Sequence, residues 1–148
     1  MSPDQEKFIQ SVIDDTNDMT IATVREDGFP QATTVSYMND GMTIYFGTSA
    51  DSQKARNIEK NNKVSLTIDA SYESWDAIRS LSMGAVANRV EDADEIEKLG
   101  RLLVKKFPEA ENYVPDDTFE LAYFRIDPKV ISLIDYSKEF GHTEEVTL

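Results

Sequence analysis

Short segments rich in strand-forming and apolar residues, with polar residues alternating most clearly in residues 64–68, predict β-strands in this 148-residue chain. Such segments cover residues 19–25, 31–37, 42–46, 64–68, 78–90, 119–126 and 130–134. Between the first three lie Asp27-Gly28 and Asp40-Gly41, dipeptides that favour tight hairpin turns. The first third of the chain is therefore predicted to form an antiparallel meander.

Three other segments space their apolar residues as one face of a helix does. These segments are residues 2–13, 51–62 and 92–107. The residues suited to capping their first turns are Ser2, Asp51 or Ser52, and Asp92. Asn61-Asn62 would end the second helix, because asparagine tolerates the left-handed conformation common after a helix.

Two irregular points are expected in the second half of the chain. Gly84 lies at the centre of the long segment 78–90, where a β-bulge or a close backbone approach is expected. Asp127-Pro128-Lys129 is predicted to be a turn between the last two strands. Seven strands with inserted helices and no internal repeat indicate a mainly β fold, an antiparallel β-barrel with added helices. The length suits a single domain over residues 1–148.

The charge balance restricts the partners. The chain has 28 acidic and 15 basic residues, a formal charge of −13, which would repel a phosphate backbone or an anionic membrane surface. No apolar run approaches the roughly 20 residues of a membrane span, and residues 1–18 lack the pattern of a signal peptide. We therefore expect no nucleic-acid or membrane partner and a cytoplasmic location.

The available side chains also restrict the chemistry. The chain has no cysteine, which excludes disulfides, thiolate catalysis and cysteine metal sites. Its single histidine, His142, cannot form a histidine metal cluster within one chain. No metal site is predicted and no obligatory acid or base is identified. Cofactor chemistry, carboxylate chemistry or no chemistry remains, and no glycine-rich dinucleotide fingerprint or P-loop occurs.

The junction between the third strand and the second helix, residues 46–56, is the most informative stretch. Hydroxyls and a cation lie where the free amides of a helix N-terminus point outward, a combination suited to a phosphate monoester. The alternative is that Ser49 and Ser52 only cap the helix while Lys54 and Arg56 are solvated. Spacing alone leaves both interpretations open.

This junction, with its flanks, resembles the pyridoxamine 5′-phosphate oxidase family, including its small general stress protein-like members. The matching residues after the third strand are Phe46, Thr48, Ser52 and Lys54. Further similar segments, in the order found in the family, are residues 20–23, 27–37, 62–66, 84–86 and 126–134. The resemblance implies a six- to seven-stranded antiparallel split β-barrel that binds FMN. It also implies a homodimer with two flavin sites at the subunit interface.

The resemblance assigns roles to particular residues. The phosphate and ribityl chain of FMN would be held by Thr48, Ser49, Ser52 and Lys54. The backbone of strand 2 would run beside the isoalloxazine ring at Thr33 and Thr34, although threonines are also ordinary strand formers. Arg79 would lie near the pyrimidine end of the flavin and stabilise negative charge on the reduced ring. Its alternative role is that of a surface arginine.

Trp75 and the residues of the C-terminal tail have two interpretations each. Trp75 would shield the ring or the dimer seam, or serve as a core or interface aromatic. The tail from residue 135 would fold across the neighbouring subunit's flavin, or it would fray. In the first case the residues near the substrate face would be Tyr136, Phe140 or His142.

The chain departs from the oxidases of this family at three positions. Gln31, which we include among the cofactor-binding residues, and Ser36 stand at the ends of strand 2, where those oxidases carry basic residues. Gln53 replaces another basic residue just before Lys54. Phosphate neutralisation would then rest mainly on Lys54, helped by Arg56 or Arg79, and weaker FMN affinity is expected. The longer C-terminal segment that grips pyridoxine phosphate has no counterpart, which argues against the pyridoxal-forming activity.

The resulting prediction is an FMN-dependent oxidoreductase in which flavin N5 exchanges hydride with a small, unidentified substrate. One alternative is a non-catalytic flavin-binding module associated with stress. Others are an F420-binding relative of the same fold and a haem-binding relative with His142 as the ligand. The sequence does not identify the substrate.

Overall fold

The computed structural model describes residues 1–112 and 120–148. In these ranges the helices are α1 (Pro3–Asp15), α2 (Gln53–Lys60) and α3 (Ala93–Lys106). The strands are β1 (Asp18–Val24), β2 (Pro30–Ser36), β3 (Met38–Asp40), β4 (Thr43–Ser49), β5 (Lys63–Asp69), β6 (Arg79–Arg89), β7 (Leu121–Asp135) and β8 (Thr143–Thr147). Two short 3₁₀ turns cover Trp75–Ala77 and Pro108–Asn112.

The described strands form one antiparallel sheet in the order β2-β1-β5-β6-β7-β4-β3, with β8 also paired to β7. The 15-residue β7 pairs with β6 on one edge, and its other edge pairs first with β4 and then with β8. The predicted mainly β, antiparallel split barrel with inserted helices is confirmed. Its two shortest strands, β3 and β8, were not predicted.

Local capping and turn chemistry sets most element boundaries. Ser2 caps α1 with a capping box to Gln5, and Pro3 occupies the first turn, as predicted. The hairpin glycines adopt positive φ, 87° at Gly28 and 60° at Gly41, which is the conformation that these turns require. The left-handed conformation expected at Asn61 is wrong. Its φ is −141°, because the chain extends directly into β5.

The turn expected at Asp127-Pro128-Lys129 is also wrong, because β7 continues through it. Gly84 pairs with Val130 and Ala85 pairs with Pro128, so Lys129 is an extra residue that forms a bulge. A bulge tolerates a proline that cannot donate a ladder hydrogen bond. The irregularity predicted at Gly84 is confirmed. Phe119, the predicted start of this strand, lies outside the described residues.

The core lies inside the curled sheet. Alternate residues of the strands point inward, as the burial pattern of β5 shows most clearly. Helix α1 adds Ile9, Val12 and Ile13, and α2 adds Ala55 and Ile58. The rings of Phe46 and Phe124 stack across β4 and β7 with centroids 5.5 Å apart. A smaller apolar cluster lies under α3 and comprises Met38, Tyr45, Val90 and Leu99.

The C-terminal segment is ordered against the sheet. Residues 143–147 pair with residues 130–134 of β7, and the backbone N–H of Asp135 donates to the carbonyl of His142 over 3.0 Å. The alternative prediction that the C-terminal tail frays is therefore wrong. None of the helices in the described ranges combines the length and apolar character that a membrane span needs.

Candidate functional site

The junction between β4 and α2 brings three predicted residues together. Ser52 caps α2, and its Oγ accepts a hydrogen bond from the backbone N–H of Ala55 over 3.2 Å. The hydroxyl of Thr48 donates to Ser52 Oγ over 3.1 Å, and the Ser52 N–H donates to the carbonyl of Ser49 over 3.0 Å. The capping role of Ser52 is thus real, and it fixes the neighbouring hydroxyls around the helix N-terminus.

A lysine lies in the same helical turn as free backbone amides. Lys54 follows the cap in the first turn of α2, where backbone N–H groups have no acceptor within the helix. Its side chain is half-buried. Within the described ranges, its ammonium takes part in no ion pair or side-chain hydrogen bond. Free amides, hydroxyls and one ammonium suit the phosphate of FMN.

Arg56 is directed elsewhere. Its guanidinium donates to the backbone carbonyl of Asp51 and, over 2.9 Å, to Oε1 of Gln53. It therefore folds back along the exposed surface of the first turn of α2. This leaves Lys54 as the uncommitted cation of the junction among the residues described.

Gln31 joins this region through a polar network that the sequence did not predict. Asn57 of α2, 2% exposed, donates to Thr23 Oγ1 over 3.0 Å and to Gln31 Oε1 over 3.2 Å. Gln53 Nε2 donates to Asn57 Oδ1 over 2.8 Å. The one sequence signal is a polar residue among Ala55 and Ile58, on the buried face of α2.

The predicted threonines lie on β2, which is an edge strand of the described sheet. Thr33 is half-buried opposite Ile21, and Thr34 is exposed opposite Thr20. An edge strand offers unpaired backbone donors and acceptors, which is what a ligand lying beside these residues would use.

The structure does not bring Arg79 to this region within one chain. Arg79 begins the 11-residue β6, while Arg89 at its other end contacts Glu59 of α2 over 3.4 Å. At about 3.3 Å per residue, β6 separates Arg79 from Arg89 by roughly 30 Å. The guanidinium of Arg79 donates to Ser11 Oγ over 2.7 Å and lies 5.5 Å from the ring centroid of Phe8.

An aromatic group lies at the Arg79 end of the sheet. Phe140 contacts Trp75 and Tyr136, with ring centroids 5.9 Å and 5.2 Å apart. Trp75 is 67% exposed and Phe140 is 72% exposed. Tyr136 is fixed beside β6 because its N–H donates to the carbonyl of Ile78 over 3.0 Å.

His142 lies in the C-terminal hairpin, which β7, β8 and the connection between them form. Its Nε2 lies 2.9 Å from Oε2 of Glu144, which also accepts from Lys138 over 3.0 Å. Gln5 of α1 donates to the other carboxylate oxygen over 3.1 Å. These hydrogen bonds, that of His142 above all, lower the pKa of Glu144 to about 2. His142 thus contacts Glu144, the residue that joins the C-terminal segment to α1 through Gln5.

The outward face of the sheet carries small, uncharged residues at its centre. Cross-strand registers place Thr34, Thr20, Thr67 and Ser82 in one row, and Ala32, Ala22, Ser65 and Gly84 in the next. Most of these residues are exposed. Small side chains of this kind permit another surface to approach the backbone closely.

Comparisons with known proteins agree with this architecture. The family model described as pyridoxamine 5′-phosphate oxidase matches residues 5–135. No curated protein matches the sequence significantly. A haem-binding protein from Mycobacterium smegmatis superposes with a TM-score of 0.81 at 21% identity, covering 99% of this chain and 59% of the other.

Two further structures are similar. A conserved hypothetical protein from Mycobacterium tuberculosis has a TM-score of 0.77 and 25% identity, covering 93% of this chain and 87% of that protein. An F420 reductase has a TM-score of 0.67 and 23% identity, covering 83% and 94%. Since the family model spans most of the sequence and the fold agrees, the chain belongs to the pyridoxamine 5′-phosphate oxidase family.

Proposed function

We propose that this protein binds FMN at the junction of β4 and α2 and works as an FMN-dependent oxidoreductase on a small molecule. The observation that carries the proposal is the N-terminus of α2, where Lys54, the Thr48 and Ser52 hydroxyls and free backbone amides converge. Family membership supports a flavin as the phosphate-bearing ligand.

The chain's residues would bind and orient the cofactor. Lys54 and the first-turn amides of α2 would hold the phosphate, and Thr48 with Ser49 would contact the ribityl chain. The open edge of β2 at Thr33 and Thr34 would lie beside the ring. When bound, FMN supplies hydride exchange at N5, so no side chain needs to act as the nucleophile.

We propose that the site is shared between two copies of the chain. Arg79 and the aromatic group lie at the opposite end of the sheet from α2, so only a second copy could bring them to the first copy's flavin. In a two-fold dimer each surface meets its counterpart, and two equivalent sites result. The uncharged outward face around Thr67 and Ser82 is the surface suited to this contact.

Replacing Lys54 tests the cofactor site directly. Lys54→Gln should weaken FMN binding by roughly 10- to 100-fold, because a charge-assisted hydrogen bond to phosphate contributes about 1.5–3 kcal/mol. Its matched control is Lys60→Gln at the other end of α2, where Lys60 pairs with Glu26 over 2.7 Å. Quenching of flavin fluorescence gives both dissociation constants. Equal affinities in the two variants would place the phosphate elsewhere.

Haem and F420 are the competing cofactors, since similar folds include a haem-binding protein and an F420 reductase. The absorption spectrum after reconstitution with each cofactor distinguishes them. A Soret band that disappears in His142→Ala would favour haem, whereas a flavin spectrum supports FMN. Photoreduction without oxygen, followed by addition of oxygen, a quinone or NAD(P)H, then separates a turning-over enzyme from an inert flavin binder.

A further inference from the structure

A chain of side-chain hydrogen bonds connects the surface of α2 to the edge strand β2. Arg56 NH2 donates to Gln53 Oε1 over 2.9 Å, and Gln53 Nε2 donates to Asn57 Oδ1 over 2.8 Å. Asn57 Nδ2 then donates to Gln31 Oε1 over 3.2 Å and to Thr23 Oγ1 over 3.0 Å. Asn57 and Thr23 are 2% and 1% exposed, so the middle of this chain is shielded from water.

The direction of every bond in this chain follows from its first member. A guanidinium can only donate, so the carbonyl oxygen of Gln53 must face Arg56. The amide nitrogen of Gln53 must then face Asn57, whose own oxygen accepts from it. Asn57 consequently turns its nitrogen towards Gln31. Thr23 does not set the direction, because a hydroxyl both donates and accepts.

The last member of the chain presents donors. Since Gln31 uses its oxygen to accept from Asn57, its nitrogen points away from the network. No acceptor for this nitrogen lies among the described residues, and the Gln31 side chain is partly exposed. Gln31 lies on the same edge strand as Thr33 and Thr34, beside the region to which the flavin is assigned.

We propose that Arg56 is a positioning residue that acts through Gln53 and Asn57 and holds the Gln31 amide as a donor to FMN's phosphate-bearing chain. This inference rests on the proposed function. It explains how neutral amides can serve at the two positions, Gln31 and Gln53, where oxidases of the family carry basic residues. Arg56 would in this way direct a hydrogen-bond donor towards the ligand without placing its own positive charge there.

A double-mutant cycle tests this relay. The variants are Gln31→Met, Arg56→Met, the double variant and Arg56→Lys. Each single methionine change should weaken FMN binding by about fivefold, the effect of one neutral hydrogen bond. The double variant should bind no more weakly than either single variant, because both remove the same bond. Arg56→Lys keeps a donor at the start of the chain and should restore binding to within about twofold.

Three results would overturn the relay. These are unchanged FMN affinity in Gln31→Met, unchanged affinity in Arg56→Met, or losses that multiply in the double variant. Multiplied losses would mean that Arg56 acts on the ligand directly through its charge.

A second measurement needs no cofactor. In the ligand-free protein, Arg56→Met should shift the side-chain amide NMR signals of Asn57 and Gln31, and Arg56→Lys should leave them nearly unchanged. Unshifted signals in Arg56→Met would refute the relay. If the wild-type protein bound no FMN, the proposed function would fail, and these signals would still decide whether Arg56 sets the orientation of Gln31.

Discussion

At the scale of single residues, Glu144 joins parts of the chain that are distant in sequence. It accepts hydrogen bonds from Gln5 of α1 and from Lys138 and His142 of the C-terminal hairpin. Because these donors stabilise the carboxylate, the pKa of Glu144 falls to about 2. The ionised form therefore holds the hairpin against α1.

The free energy of unfolding should consequently depend on the ionisation of Glu144 at acidic pH. A carboxyl with a pKa of about 4.3 in the unfolded chain and about 2 in the folded chain stabilises the fold above pH 4.3. That contribution is lost as the pH falls towards 2. Glu144→Gln should lower the urea midpoint at pH 6, and its deficit from wild type should shrink between about pH 4.5 and 2.

The neighbouring, exposed Glu145 provides the control for this prediction. Glu145→Gln should leave the pH profile of the urea midpoint close to that of wild type. A Glu144→Gln deficit that stays constant down to pH 2 would show that the carboxylate's ionisation contributes nothing to the fold.

The sequence predicted the local structure around the candidate phosphate site, because that structure depends on neighbouring residues. Ser52 is recognisable as a cap before a helix, and Thr48 and Lys54 follow from their positions around it. Asn57 and Thr23 were missed because their contact requires α2 to pack on β1, which no local spacing specifies. The contact between Arg79 and Ser11 of α1 is non-local for the same reason.

At the scale of elements, β4 and β7 show how strand pairing supports the site. Gly47 of β4 lies opposite Tyr123, whose ring covers the glycine just before Thr48. A Cβ added at Gly47 would lie 2.9 Å from Cε1 of that ring. An alanine at this position would therefore require the Tyr123 ring to shift.

Gly47→Ala should destabilise the protein by about 1–3 kcal/mol, the usual cost of overpacking. The urea midpoint measures this loss. In a Tyr123→Ala background, the same change should cost little, because the clashing ring is gone. A Gly47→Ala variant as stable as wild type would show that the ring moves aside freely.

Elements with strong terminal signals were predicted well, and those that depend on a partner were not. The three helices have capping residues in sequence, and the first hairpin has its Asp27-Gly28 turn. Strand β8 has only Val146 buried, so its sequence lacks a strand pattern. It forms because the free edge of β7 is available beside it.

At the scale of the whole molecule, the distribution of charge bears on self-association. A chain with a net charge of −13 repels a second copy unless the contacting surfaces carry little charge. The outward face of the sheet around Thr67 and Ser82 meets that condition. It also separates α2 from the Arg79 end, the two regions that a shared flavin site would need to combine.

Placing a charge at the centre of this face should therefore prevent dimerisation. Thr67→Glu should sediment as a monomer and bind FMN more weakly, because two like charges would meet across the two-fold axis. The control is Ser71→Glu, in the exposed connection between β5 and β6, which should remain a dimer. A Thr67→Glu variant that stays dimeric would place the subunit contact on another face.

The central claim is that α2 receives the phosphate of FMN, and comparing FMN with riboflavin tests it most directly, because the two differ by that phosphate alone. Fluorescence titration of the wild-type protein should give one FMN per chain. FMN should bind at least roughly tenfold more tightly than riboflavin, consistent with one charge-assisted contact. Equal affinity for the two flavins, or no binding of FMN, would contradict the claim.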